Sequence, residues 1–119
     1  MALHTELEIH KGGEELLELS IGMVRNIPRD LKQVVGSKIR DECLQVLVLI
    51  GRANMSSHKV PHLNALLESI WMINYLLRAL TNQGVIPKGQ HAKAMRITAS
   101  LGRQANAWKK HASATASAT

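Results

Sequence analysis

The sequence has no phenylalanine, one tyrosine, two tryptophans, three prolines and one cysteine in 119 residues. A lone cysteine excludes an internal disulfide. With no charged-then-apolar leader and no run of 18 apolar residues, the expected setting is cytoplasmic and away from membranes. So few aromatic side chains argue against a sheet. Leucine, alanine and isoleucine supply most of the 45% apolar content, which favours helices and is enough for one buried core. The glycines do not form a phosphate loop, because Gly12 and Gly13 sit in an acidic helical stretch without a following lysine. No carboxylate occurs after Glu68.

That last absence draws attention to the charge that is present. The formal net charge is +6, and it is unevenly distributed. Residues 1 to 24 carry −4, through Glu6, Glu8, Glu14, Glu15 and Glu18 against Lys11, whereas residues 25 to 119 carry +10. Seven bases follow Glu68: Arg78, Lys88, Lys93, Arg96, Arg103, Lys109 and Lys110. Net charge speaks to solubility and partners and not to the fold, and this balance points to anions.

Breaks at NIPRD (26 to 30), NMSSHKVPH (54 to 62) and NQGVIPKG (82 to 89) divide the chain into four helical segments, roughly 4 to 25, 29 to 53, 60 to 82 and 88 to 112. Similar lengths and short connections predict an all-α, antiparallel up-down-up-down four-helix bundle over residues 1 to 112. The small, polar, low-complexity tail, 113 to 119, is assigned neither structure nor function. In the second segment Val35, Ile39, Cys43, Val46, Ile50 and Ala53 form one stripe, which makes Cys43 a core residue. In the third, Leu63, Leu66, Ile70, Ile73, Leu77 and Leu80 form another. The runs CLQVLVLI and SIWMINYLL are apolar nearly all round, more than one seam requires. Leu47, Val48, Met72 and Leu76 are therefore expected to meet other copies of the chain in a homo-oligomer.

Projected at about 100° per residue, the last segment separates into two faces. Ala94, Ile97, Leu101, Ala105 and Trp108 gather on one side, and Lys93, Arg96, Arg103 and Lys110 on the other. With Lys88 at its start and Arg78 from the preceding helix, this stripe has the electrostatic footprint of a phosphate-backbone binder, for RNA or DNA with low sequence specificity. The competing reading is a solvated face whose charge is matched by Glu14, Glu15 or Glu18, pairing with Arg96 or Arg103. Trp71 and Trp108 fall on or next to seams and are expected to pack in the core, so no aromatic ladder for bases is foreseen.

Signals for catalysis are weak. His58 and His62 have the spacing of metal ligands on a helix, but Pro61 lies between them and no carboxylate or thiol is near. Arg52 and His58 in RANMSSH resemble the arginine and histidine pair of helical HEPN ribonucleases, at a spacing expected about once by accident. The residues call for no cofactor, no metal and no catalytic group. A protein-interaction scaffold without nucleic-acid binding is the alternative reading, and a HEPN-like ribonuclease a remote one.

Four stretches carry a family resemblance: NIPR, NYLLRAL, VIPKGQH and LGRQANAW, with Gly102, Arg103 and Trp108 in the last. In their order and separation the chain resembles the four-helix-bundle family of the accessory variability determinant of diversity-generating retroelements. More distantly it resembles the bundle proteins encoded in ribosomal RNA intervening sequences. The first resemblance implies a pentameric, basic, non-enzymatic protein that binds nucleic acid and associates with a reverse transcriptase. The acidic opening, MALHTELEIHKGGEELLEL, departs from the aromatic-rich first helix usual in that family.

Overall fold

A computed structural model describes residues 7–118. Four helices follow one another. Helix α1 is Glu8–Arg25. Helix α2 runs without a break through an α-helical turn, Arg29–Leu31, a π-helical stretch, Lys32–Gly36, and an α-helix, Ser37–Met55. Helix α3 is Val60–Asn82 and α4 is Lys88–Ala118. Each packs against its sequence neighbours, and α1 also packs against α4, which closes an antiparallel bundle about 51 Å long and 20–21 Å across.

The two connections at one end are built alike. After α1, the Ile27 N–H donates to Val24 O at 3.1 Å, Ile27 plugs the core, and Pro28 precedes the first turn of α2. After α3, Gly84 adopts φ +74°, a conformation that only glycine takes without strain. Its N–H donates to Thr81 O at 3.0 Å, and that of Val85 to Leu80 O at 2.9 Å, which satisfies carbonyls that the helix end would leave bare. Ile86 is then buried and Pro87 precedes α4.

At the opposite end a side chain finishes α2. Lys59 donates from Nζ to Ala53 O (2.8 Å), Ser56 O (3.0 Å) and Asn54 O (3.2 Å). A cation at a helix C-terminus is favoured by the helix dipole, and this one lies 6.0 Å from the ring centroid of Trp108.

The stripes form the core. All six residues of the α3 stripe are buried, as are Ile39, Cys43, Val46, Ile50 and Ala53 of α2, while Val35 packs partly buried against them. Ala94, Ile97, Leu101 and Ala105 bury one face of α4, and the half-buried Trp108 packs against the core. A few polar groups are satisfied inside. Thr98 donates from its hydroxyl to Asn74 Oδ1 at 3.0 Å, tying α4 to α3. Ser20, on α1, donates to Leu17 O at 2.7 Å. Burial pushes the Cys43 thiol up to about 11, a hydrogen bond with Ser20 partly opposes this, and the nearby Glu42 carboxylate adds to it.

Two expectations are corrected. Trp71 is not a core residue. It lies one position beyond Ile70 of the α3 stripe, about 100° round the helix, and is 67% exposed. The segment from residue 113 is not devoid of structure as far as Ala118, because α4 continues through it. Its alanines are strong helix formers, and Thr115 donates to His111 O at 2.9 Å within the helix. The competing reading, in which Glu14, Glu15 or Glu18 pairs with Arg96 or Arg103, does not match the pairs that form. Among the described residues Lys38 pairs with Glu42 (3.0 Å) and Lys11 with Glu8 (3.4 Å), and His10 Nδ1 lies 2.8 Å from Glu14, each contact within one helix. The expected first-helix start at residue 4 falls outside the described residues.

Candidate nucleic-acid interface

Helix α4 puts its bases on the outside because Ala94, Ile97, Leu101 and Ala105 point inward at intervals of three or four residues. Lys88, Lys93, Arg96, Arg103 and Lys110 are all exposed, and so is Arg78 on the adjacent α3. From Lys93 to Lys110 the stripe extends about 26 Å along the axis, at roughly 1.5 Å per residue. None of these six side chains is in an ion pair among the described residues.

Where α1 and α4 meet, Gly12, Glu15, Lys93, Arg96, Ile97 and Ser100 line an open groove of about 380 Å³. Glu15 shares this groove with two of the bases but makes no ion pair with either. A glycine at position 12 lets Leu101 approach: a Cβ there would lie 3.0 Å from Leu101 Cδ2. The seam between the two helices is therefore a close apolar contact, with the charges held outside it.

Arg52 and His58 are exposed and His62 is half-buried. The His58 backbone is engaged by Ser56, whose Oγ accepts from His58 N at 3.0 Å and donates to His58 O at 3.1 Å. Among the described residues, no cluster of three or more His, Cys, Asp or Glu side chains could hold a metal ion. Also among these residues, no helix is long and apolar enough to cross a membrane.

Of the residues expected at a contact between copies, Val48 and Met72 are 38% and 42% exposed, and Leu47 and Leu76 are half-buried. Leu47 is partly engaged within the chain, since a Cβ on Gly13 would lie 2.8 Å from its Cδ2. Leu44, 52% exposed on the same helix, was not singled out from the sequence.

Of the stretches behind the family resemblance, NIPR and VIPKGQH form the Ile-Pro turns at one end, NYLLRAL lies within α3, and LGRQANAW is the part of α4 that carries Leu101, Arg103 and Trp108. A family model described as bAvd-like matches residues 7–112. The chain belongs to the bAvd-like family, the bacterial accessory variability determinants. No curated protein and no solved structure matches it. In this bAvd-like chain, NIPR and VIPKGQH place Ile27 and Ile86 in the core and start α2 and α4. The motif LGRQANAW puts Leu101 and Ala105 inside and Arg103 outside, and Trp108 next to the lysine that ends α2.

Two features escaped the sequence reading. Lys59 as the partner of three carbonyls depends on how the chain turns between α2 and α3, for which the sequence offers only the small and polar residues of the break. The exposed Trp71 did leave a signal: Trp71, Tyr75 and Arg78 recur at i, i+4 and i+7, a second stripe on α3 distinct from its apolar one.

Proposed function

We propose that this protein is a non-enzymatic, nucleic-acid-binding accessory protein that assists the reverse transcriptase of a diversity-generating retroelement. It holds the phosphate backbone on the outer face of α4, through Arg96 and Arg103 first, with Lys93, Lys110, Lys88 and Arg78 around them. The observation that carries this reading is the exposure of all six bases together with their lack of carboxylate partners among the described residues. Cations left unmatched on one face create a field that steers a polyanion, and phosphate contacts carry little sequence information. Leu47, Val48, Met72 and Leu76 contribute to contacts in a homo-oligomer, taken as a pentamer from the family. Five copies would carry about +30 and strengthen the same field.

Salt-dependent binding tests the reading. Each phosphate contact releases counterions and contributes about 0.9 to the slope of log affinity against log salt for duplex DNA, and about 0.7 for a single strand. Arg96→Ala with Arg103→Ala should weaken binding about equally for unrelated sequences and flatten that slope by roughly 1.4 to 1.8. An unchanged slope would remove both arginines from the interface.

A further inference from the structure

Trp71 and Tyr75 stand 67% and 68% exposed on the outer face of α3, the most exposed aromatic side chains described. Their spacing of four residues places one ring above the other, about 6 Å apart along the helix axis. Arg78 continues the stripe a turn further on and is exposed and without an ion-pair partner among the described residues. Glu68 is the one carboxylate of α3. Large aromatic groups in successive turns, left in water, mark a surface that something else covers.

The neighbouring helix is shaped to match. The hydrogen bond from Thr98 to Asn74 fixes the level of the two antiparallel helices. Counting three residues back from Asn74 and three on from Thr98 brings Trp71 level with Leu101 and Gly102. Gly102 lies inside α4, where glycine is unfavourable relative to alanine, yet a Cβ there would meet no atom within 4 Å. Packing inside the chain therefore does not require a glycine. Its effect is to leave α4 without a side chain at the level of Trp71, with the exposed Arg103 next in sequence.

We propose that the ligand of this face is single-stranded nucleic acid, its unpaired bases stacked on Trp71 and Tyr75 and its backbone crossing the Gly102 shoulder to Arg78 and Arg103. This rests on the reading of α4 as a phosphate-binding face and adds to it the state of the strand. In a duplex the base faces are covered by one another, so exposed rings on a convex helix find a partner only in unpaired bases. Aromatic rings beside unmatched guanidinium groups complement a polymer that is both aromatic and anionic.

The test compares an unstructured 12-nucleotide oligo-dT with a 12-base-pair duplex at equal, low salt. In a Trp108→Phe background Trp71 is the only tryptophan, and the single strand should quench its fluorescence while the duplex leaves it unchanged. Trp71→Ala in the otherwise native chain should weaken single-strand binding by about 5- to 150-fold with the salt slope unaltered, and leave duplex binding as it was. Gly102→Leu, which fills the shoulder without removing a contact, should weaken the single strand alone without lowering thermal stability. Equal losses on both ligands, absence of quenching, or an oligomer that falls apart in sedimentation when Trp71 is replaced would each overturn the proposal. If the wild-type chain binds neither ligand, the underlying reading fails as well. If it binds and Trp71→Ala binds equally well, only the stacking proposal fails.

Discussion

Helices α1 and α4 lie side by side and carry opposite charge, yet the carboxylate contacts of α1 are made within itself, Glu8 with Lys11 and Glu14 with His10. What joins the two helices is apolar: Leu101 is fully buried and sits where a Cβ on Gly12 would be in close contact. The difference teaches what the α4 bases are not for. Exposed ion pairs stabilise a fold by only about 0 to 1 kcal/mol each, and here even that contribution is not taken up across the seam. Five exposed bases on α4 therefore add little to the bundle and remain available to a ligand.

The comparison breaks most visibly at the seam. Leu101→Ala should cost about 2 to 5 kcal/mol, through lost burial and the cavity left behind, and lower the melting temperature by roughly 4 to 8 °C per kcal/mol. Arg103→Ala, two positions on, should stay within about 0.5 kcal/mol of wild type in the same urea or thermal unfolding experiment. Nucleic-acid affinity per folded molecule should respond the other way round, unchanged by the first substitution and reduced by the second. A large stability loss from Arg103→Ala would mean that the outer face is structural after all.

A smaller effect sharpens the contact of α1 with α2. Burial pushes the Cys43 thiol up to about 11, whereas in the unfolded chain it titrates near 9. The folded state then keeps a proton that the unfolded state releases, so this contribution to stability is fully present below pH 9 and is lost as pH rises towards 11. Unfolding free energy measured across that window should fall with pH, and fall less in Cys43→Ala. The same burial should make the native thiol slow to alkylate and the urea-unfolded thiol fast. Fast native alkylation at pH 8 would contradict a closed contact between α1 and α2.

The fold was legible because each helix carries its own period. Spacings of three and four fixed the inward faces of α2, α3 and α4, and proline, glycine and asparagine marked the breaks to within a few residues. What was not legible depends on two elements meeting. The π-helical stretch Lys32–Gly36 lies where a Cβ on Gly36 would come within 2.8 Å of Val24 Cγ1 on α1, a contact that no pattern within α2 reveals. The missing ion pairs between α1 and α4 depend on how far one helix is rotated against the other, and sequence adjacency in a bundle does not fix that. The base stripe itself was readable, since exposure on α4 follows from the same period that buries its other side. Trp71 was misread because being next to a seam residue in sequence is about a quarter-turn away from it in space.

The smallest expected effect concerns a groove that an acid of α1 shares with bases of α4. Glu15 lines a groove with Lys93 and Arg96 without forming an ion pair with them. If its carboxylate only dilutes the field over α4, Glu15→Gln should leave stability within about 0.5 kcal/mol of wild type. It should also tighten nucleic-acid binding by about two- to threefold at low salt, an advantage that vanishes where the screening length drops to a few ångströms. A carboxylate that instead held Arg96 in position would give the opposite result, weaker binding together with lower stability. The sign of that small change distinguishes a helix that merely neighbours the basic face from one that organises it.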